Sequence, residues 1–206
     1  MIGRLFENIV KPVRDPWRRH RNRHRDPFVF IHINKTGGTS IEKALKLAFE
    51  HRTALEKIEE LGREEWDRRF SFAVVRNPWD KVVSHYHYRV KTNQTGLGRR
   101  AIPFREWVIR AYGEHEHRYY DQPRMFMPQI RWITDERGEI LVSFVASFER
   151  LQMDWDVICR RIGVKATLPH VKKSVHRPFR ELYDERTREI VAREFAEDID
   201  AFGYSF

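Results

Sequence analysis

The sequence FVFIHINKTGGTSIEKALKL, residues 28–47, is the most informative segment of the chain, because an apolar run breaks into a polar, glycine-bearing turn and then resumes at helical spacing. The run FVFIHI suits a buried strand. From Ile41 to Phe49, apolar residues recur at i, i+3, i+4, i+7 and i+8, which predicts an amphipathic helix. Between the two lie residues 34–40, NKTGGTS. The order strand, loop, helix is typical of α/β proteins.

The loop has the composition of an anion-binding site. Gly37 and Gly38 allow a tight turn that directs backbone N–H groups toward one point, and the helix start adds unpaired N–H donors and partial positive charge. Lys35 supplies a point charge, and three hydroxyl groups supply further donors. The hydroxyl-bearing residues are Thr36, Thr39 and Ser40. The loop therefore suits phosphate or sulfate, although a helix capped by Thr39 or Ser40 would explain one hydroxyl without any ligand.

The position of the lysine separates two classes of phosphate-binding loop. A Walker A loop has its lysine after the glycines, whereas Lys35 precedes them. The order HINKTGGTS after a strand resembles the 5′-phosphosulfate loop of sulfotransferases that use 3′-phosphoadenosine 5′-phosphosulfate (PAPS). The most similar version is P-K-T-G-G/S-T-S, from carbohydrate sulfotransferases of the heparan sulfate 2-O-sulfotransferase type. The chain differs at Asn34, where proline is usual, and this change loosens the turn without removing a donor.

A second motif follows the predicted strand FSFAVV, residues 70–75. Arg76 comes directly after that strand, where open α/β sheets place ligand-binding groups, and an Asn-Pro pair then forces a turn before a helix that carries Ser84. The stretch FAVVRNPWDKVVSHYHYR resembles the family's 3′-phosphate motif. The resemblance implies that Arg76 and Ser84 hold the donor's 3′-phosphate. The alternative is an arginine paired with Asp80 and a serine without a ligand.

His51 is the candidate general base. It lies in the segment HRTA just after the first predicted helix, and small bacterial members of the family carry a similar H-x-T-A segment. The resemblance thus implies that His51 takes the acceptor's proton. An imidazole that titrates near neutrality suits this role. His32 and Glu50 are competing bases, and a lone histidine is more often an ordinary surface or core-edge residue.

The C-terminal half continues the alternation of strands and helices. Residues 140–148, ILVSFVASF, predict a third strand, a helix that Gly163 ends follows, and residues 190–202 predict a terminal helix. Between these helices lies a basic loop whose family equivalent closes over the nucleotide. The resemblance implies three secondary donor-binding residues there, Lys172, Lys173 and Ser174.

The expected fold is a single α/β domain with a mostly parallel sheet flanked by helices and a P-loop-like phosphosulfate-binding loop. We expect this sulfotransferase domain to cover residues 27–206, preceded by a basic, flexible segment at residues 1–26. The 206 residues with 41% hydrophobic content suffice for one core. The net charge of +9 favours an anionic partner.

The sequence also predicts a cytoplasmic location. Cys159 is the single cysteine, so no internal disulfide can form. No apolar run is long enough for a membrane span, and no signal peptide is evident. The weakly amphipathic, basic N-terminal segment could still contact the inner membrane surface, although such segments are more often solvated and partly disordered.

The predicted function is therefore transfer of a sulfuryl group from PAPS to an acceptor hydroxyl or amine, with a saccharide or another small hydroxylated molecule as acceptor. We expect neither a metal nor a nucleic-acid partner, and the H-x-H pairs at residues 85–87 and 115–117 do not suit a metal site on one helix face. Two rivals remain: a P-loop kinase, which the lysine order disfavours, and a non-catalytic basic module that binds nucleic acid or anionic membrane. The sequence does not indicate the acceptor or the oligomeric state.

Overall fold

A computed structural model describes residues 16–169 and 178–206 of the chain. Three strands form one parallel sheet in the order β1-β2-β3. The strands are β1 (Phe28–Ile31), β2 (Phe70–Val75) and β3 (Phe144–Ser147). Because all three are parallel, their carboxyl ends meet at one edge of the sheet. The predicted α/β fold with a parallel sheet flanked by helices is confirmed.

Helices cover the sheet and extend beyond it. A π-helical turn, Ile109–Gly113, continues the helix Phe104–Val108. The α-helices are α1 (Pro16–His24), α2 (Gly38–Leu45), α3 (Ala54–Leu61), α4 (Arg63–Arg68), α5 (Pro78–Lys91), α6 (Phe104–Val108), α7 (Leu151–Ile162), α8 (Glu185–Glu194) and α9 (Ala196–Phe202). Thr53 and Glu56 cap the start of α3 reciprocally.

The strands alternate their side chains between two apolar clusters, because successive residues of a strand point to opposite faces. One cluster joins Phe30 and Phe72 to α2 and α7, and the other joins Ile31 and Ala73 to α3 and α4. A third cluster joins α5 to α6 and α8 and includes Trp107. The helix that carries Ser84 is therefore held by a core of its own beside the sheet.

Helix α2 ends earlier than the sequence predicts. Lys46 adopts a left-handed conformation with φ 55°, its N–H bonds the Lys43 carbonyl at 3.3 Å, and the Leu47 N–H bonds the Glu42 carbonyl at 2.8 Å. These two bonds form a Schellman motif, which ends a helix. The prediction of a helix through Phe49 is wrong, because the apolar spacing continues past the residue that turns the chain.

Two other boundaries differ from prediction. The third strand begins at Phe144 rather than residue 140, because Ile140 lies in an isolated antiparallel bridge with Thr134. The predicted terminal helix is two helices, α8 and α9, separated at the buried Phe195, whose φ is −115°.

Helix α1 includes part of the predicted N-terminal segment. The Arg21 guanidinium donates to the backbone carbonyls of Leu45 and Lys46 at 3.1 and 2.8 Å, and Arg69 donates to those of Asn22 and Arg23 at 3.0 and 2.8 Å. Helix α1 is therefore anchored at the carboxyl end of α2. None of the helices in the described part of the chain has the length and apolar character that a bilayer span requires.

Candidate functional site

Lys35 lies between β1 and α2 and has few balancing charges. Its backbone is left-handed, with φ 67°, a conformation that costs a non-glycine residue about 1 kcal/mol or more. Its Nζ lies 4.1 Å from the centre of the Tyr88 ring, and no carboxylate among the described residues pairs with it. Burial, and then repulsion by Arg76, Lys81 and Lys91, lowers the pKa of Lys35 to about 8.

The N-terminus of α2 carries no side-chain cap. Gly37, with φ 86°, is the N-cap, so Thr39 and Ser40 lie inside the first turn and the hydroxyl-capped alternative does not form. Neither hydroxyl has a hydrogen-bond partner within residues 16–169 and 178–206. Apart from the Ser40 N–H, which bonds the Gly37 carbonyl, the first turn leaves its N–H groups without helical partners, at the positive end of the helix dipole.

Thr36 and Gly38 have structural roles in this loop. Thr36 is fully buried, and its hydroxyl donates to the Ile33 carbonyl at 2.9 Å. Thr36 could therefore offer a ligand its backbone N–H but not its hydroxyl proton. A β-carbon at Gly38 would lie 2.0 Å from the His32 ring. Glycine is thus required at Gly38 by the close approach of that ring.

Arg76 lies at the carboxyl end of β2 and is fixed on several sides. The Gln129 amide bonds both backbone polar groups of Arg76, at 2.9 Å to the N–H and 2.8 Å to the carbonyl. The guanidinium donates to Asp80 at 2.8 and 2.7 Å and to the Lys35 carbonyl at 3.1 Å, and it lies 4.1 Å from the Phe148 ring centre. The predicted alternative, pairing with Asp80, therefore does form. Described residues use three of the five guanidinium N–H groups, which leaves two for a ligand.

Ser84 lies between the two cationic residues. On α5 it is one turn after Asp80 and one turn before Tyr88, so the three side chains share a helix face. Arg76 contacts Asp80 and Lys35 contacts Tyr88. The half-buried Ser84 hydroxyl, which has no partner in the described part of the chain, therefore lies on the surface that joins the two cations.

One ring nitrogen of His51 has no hydrogen-bond partner among the described residues. Its Nδ1 lies 2.7 Å from the His32 carbonyl, and because a carbonyl only accepts, Nδ1 must donate and Nε2 keeps its lone pair. The ring packs against Phe49 and Trp132, at centroid distances of 4.8 and 5.9 Å. Burial lowers the pKa of His51 to about 4. The expectation that it titrates near neutrality is therefore wrong.

The two competing bases, His32 and Glu50, are each hydrogen-bonded to a neighbouring side chain. His32 Nδ1 lies 2.7 Å from the Glu42 carboxyl, and burial lowers the pKa of His32 to about 3 and raises that of Glu42 to about 8. Both shifts favour the uncharged form of each group, in which the carboxyl donates to Nδ1. Glu50 accepts a hydrogen bond from the Lys57 ammonium at 2.9 Å. Both arrangements favour His51 over its competitors.

The other residues considered in the sequence do not add to this site among the described residues. Lys172, Lys173 and Ser174 fall outside the described residues. His85 contacts the Tyr112 hydroxyl at 3.2 Å, and His115 contacts Glu194 at 3.1 Å, so these histidines are not gathered together. Within the described ranges, no group of three or more His, Cys, Asp and Glu side chains is placed to hold a metal ion.

Four contacts of the site were not predicted from the sequence. Phe148 directly follows β3, so the rule that placed Arg76 at a strand end could have found it. Tyr88 lies one turn after Ser84, so helical spacing could have found it too. Gln129 and Glu42 have no such signal, because Gln129 bonds a residue 53 positions away and Glu42 lies in an ordinary helical pattern.

A family model described as "Sulfotransferase family" matches residues 18–205. No curated protein and no solved structure matches the chain. The matched range includes the loop after β1, the residues that follow β2 and the helices that hold them.

Proposed function

The chain belongs to the sulfotransferase family, and on that premise we propose that it moves a sulfuryl group from PAPS to an acceptor hydroxyl or amine, releasing adenosine 3′,5′-bisphosphate. The observation that carries this proposal is the contact between two cationic residues at the ends of adjacent parallel strands. Arg76 donates to the backbone carbonyl of Lys35 at 3.1 Å. PAPS carries an anionic group at each end of its ribose, so two neighbouring cationic sites suit it.

The local charge supports an anionic ligand at the loop. Lys35 is repelled by Arg76, Lys81 and Lys91, and its pKa of about 8 reflects burial together with that repulsion. The first turn of α2 adds N–H groups and the positive end of its dipole. An anion beside Lys35 would offset this repulsion and raise the pKa of the ammonium again. The 5′-phosphosulfate is the donor group that we assign to this position.

The far end of the donor is assigned to Arg76 and Ser84. Arg76 keeps two N–H groups beyond those that bond Asp80 and Lys35, and the Ser84 hydroxyl lies on the same side of α5. Charge-assisted hydrogen bonds from a guanidinium are well suited to phosphate. Binding the 3′-phosphate here would orient the sulfur atom toward the acceptor. Lys172, Lys173 and Ser174 remain secondary candidates from the sequence.

His51 is assigned the acceptor's proton. In the transfer, an oxygen or nitrogen of the acceptor forms a bond to sulfur while the bond from sulfur to the bridging phosphate oxygen breaks. The acceptor's proton passes to His51 Nε2, because Nδ1 is committed to the His32 carbonyl. Lys35 and the N–H groups of α2 stabilise the negative charge left on the bridging oxygen.

The acceptor and the location are less specific proposals. We assign a saccharide or another small hydroxylated molecule as acceptor, which the resemblance to carbohydrate sulfotransferases supports. We place the protein in the cytoplasm, as its single cysteine suggests. Contact of the basic N-terminal segment with the inner membrane surface is a further expectation, and no nucleic-acid partner is proposed.

Thermal unfolding with added nucleotides tests the donor. A ligand that binds only the folded state stabilises it, so adenosine 3′,5′-bisphosphate should raise the melting temperature well above any effect of ATP or AMP. Equal shifts with ATP would indicate a general nucleotide site and contradict the proposal. Incubation with labelled PAPS and a panel of acceptors, followed by mass spectrometry, would then identify the molecule that gains the sulfuryl group.

A further inference from the structure

The backbone of Arg76 is held by a buried hydrogen-bond chain that starts in α9. Gln129 is fully buried, and its amide accepts from the Arg76 N–H at 2.9 Å and donates to the Arg76 carbonyl at 2.8 Å. These are the two bonds that a further β-strand would make to this residue. A side chain therefore takes the place of a backbone partner at the end of β2.

Asp198 fixes the Gln129 amide in this orientation. Its Oδ2 accepts from the Gln129 backbone N–H at 2.9 Å and from the Gln129 Nε2 at 3.0 Å, and its Oδ1 accepts from the Ile130 N–H at 2.8 Å. Asp198 is fully buried as well. Because Nε2 must meet both the Asp198 carboxylate and the Arg76 carbonyl, the amide cannot rotate without losing bonds at both ends. We refer to Gln129 and Asp198 together as the clamp.

Asp198 also interacts with the buried ammonium of Lys81. The Lys81 ammonium is fully buried and has no hydrogen-bond partner in the structure, and it is attracted by Asp198 and repelled by Arg76. The Asp198 charge therefore also balances a buried cation. If the Asp198 carboxylate lost its charge, the repulsion between the Lys81 and Arg76 cations would no longer be balanced.

We propose that Gln129 and Asp198 are positioning residues that set the direction in which the Arg76 side chain leaves β2, and so set the affinity for the donor's 3′-phosphate. The inference rests on the proposed function. Without the clamp, two backbone groups of Arg76 would be buried without partners, and the peptide would turn to find new ones. The guanidinium contacts to Asp80 and Phe148 would then change with it.

Calorimetric binding of adenosine 3′,5′-bisphosphate and of AMP tests the inference, because AMP lacks the 3′-phosphate. Gln129→Met removes the amide at similar length, and Asp198→Asn keeps the side-chain shape while removing the charge. Both variants should bind the bisphosphate about tenfold more weakly, the effect of losing one good hydrogen bond, while AMP affinity changes less than about twofold. With saturating donor, kcat should stay close to that of the unaltered protein.

Glu197→Gln is the matched control. Glu197 and Arg131 form an exposed ion pair between the same two segments, 2.8 Å from Nε to Oε2, but neither residue contacts Arg76. This variant should leave both affinities unchanged.

Three outcomes would overturn the inference. The first is an equal loss for AMP and the bisphosphate in Asp198→Asn and Gln129→Met, and the second is a loss in Glu197→Gln of the same size. The third is unchanged bisphosphate affinity in folded variants, with folding checked by circular dichroism. If the unaltered protein binds no bisphosphate at all, the proposed donor itself fails, and this result is distinct from the other three.

Discussion

The ends of β1 and β2 lie side by side, yet they hold their cationic residues in opposite ways. At the end of β2, both backbone polar groups of Arg76 are bonded to Gln129 and its guanidinium is paired with Asp80. At the end of β1, Lys35 has a left-handed backbone and its ammonium lies over a tyrosine ring without a carboxylate partner in the described chain.

The difference suggests that the β2 end binds the donor and the β1 end acts in the chemical step. A group that several contacts hold in place keeps its position whether or not charge changes nearby, so it suits binding of a ligand in its ground state. A buried cation with few balancing charges interacts strongly with negative charge that develops beside it. We therefore expect changes at the β1 end to affect turnover and changes at the β2 end to affect donor affinity.

His51→Ala should produce the largest effect, at the β1 end. Loss of a general base lowers kcat by roughly 10²- to 10⁴-fold, while affinity for adenosine 3′,5′-bisphosphate should change little because Arg76 is intact. The neutral imidazole is the active form and the pKa of His51 is about 4, so the unaltered protein should lose activity as the pH falls through about 4. The variant should lack that acidic limb in steady-state kinetics.

His115→Ala is the control for this variant, since His115 is an exposed histidine that contacts Glu194 and Tyr120, outside the site. If His51→Ala retained both its rate and the acidic limb, the base would be another residue. The assignment of the donor site would be unaffected.

Lys35→Ala should have the next largest effect. Removing one group that stabilises transition-state charge lowers kcat by about 10²-fold or more, with a smaller change in donor KM. The protonated ammonium is the active form and the pKa of Lys35 is about 8, so activity in kcat/KM should fall as the pH rises through about 8, and the variant should lose this limb. Unchanged kcat would make Lys35 a binding residue only.

Lys43→Ala is the matched control, because Lys43 is an exposed lysine on α2 and does not contact the loop. It should leave kcat and the alkaline limb unchanged.

Arg76→Ala should have the smallest of the three effects and should act on the other kinetic constant. Losing charge-assisted bonds to a phosphate should raise the donor KM about tenfold or more, with a much smaller change in kcat. Initial rates over a range of donor concentrations separate the two constants. A large fall in kcat with unchanged KM would remove the contrast between the strand ends.

Arg150→Ala is the control for the lost ion pair. Arg150 bonds Asp154 at 3.1 Å with the same i,i+4 spacing as Arg76 and Asp80, and it also follows a strand of the sheet. A similar rise in KM for this variant would mean that the effect comes from general loss of an ion pair.

The elements that the sequence predicted well are those with strong local patterns. Strand β2 was predicted with its observed bounds, because five of the six residues in FSFAVV are apolar and an Asn-Pro turn follows them. Helix α2 was predicted too long, because Lys46 takes the left-handed conformation that glycine usually takes at a helix end. No local pattern distinguishes this lysine from a helical one.

In the candidate site, too, the residues with a local sequence signal were predicted and those that depend on distant contacts were not. Arg76 could be selected because a strand end is a local feature, and the strand order then brings Lys35 to it. The contacts of Gln129 with Arg76 and with Asp198 could not be predicted from the sequence, because they join residues 53 and 69 positions apart, respectively. The low pKa of His51 could not be predicted either. It comes from burial by Phe49, Trp132 and the His32 ring, and this burial depends on the packed structure.

The clamp also sets an order of events during synthesis. Arg76 precedes Gln129 by 53 residues, and Gln129 precedes Asp198 by 69. At ribosomal rates of about 5–20 residues per second, α9 emerges several seconds to tens of seconds after β2. During that interval a nascent chain can pair its first two strands, but Arg76 lacks the partners that fix it. If Arg76 binds the donor's 3′-phosphate as proposed, that site is complete only after α9 has left the ribosome, and the donor cannot guide the earlier stages of folding.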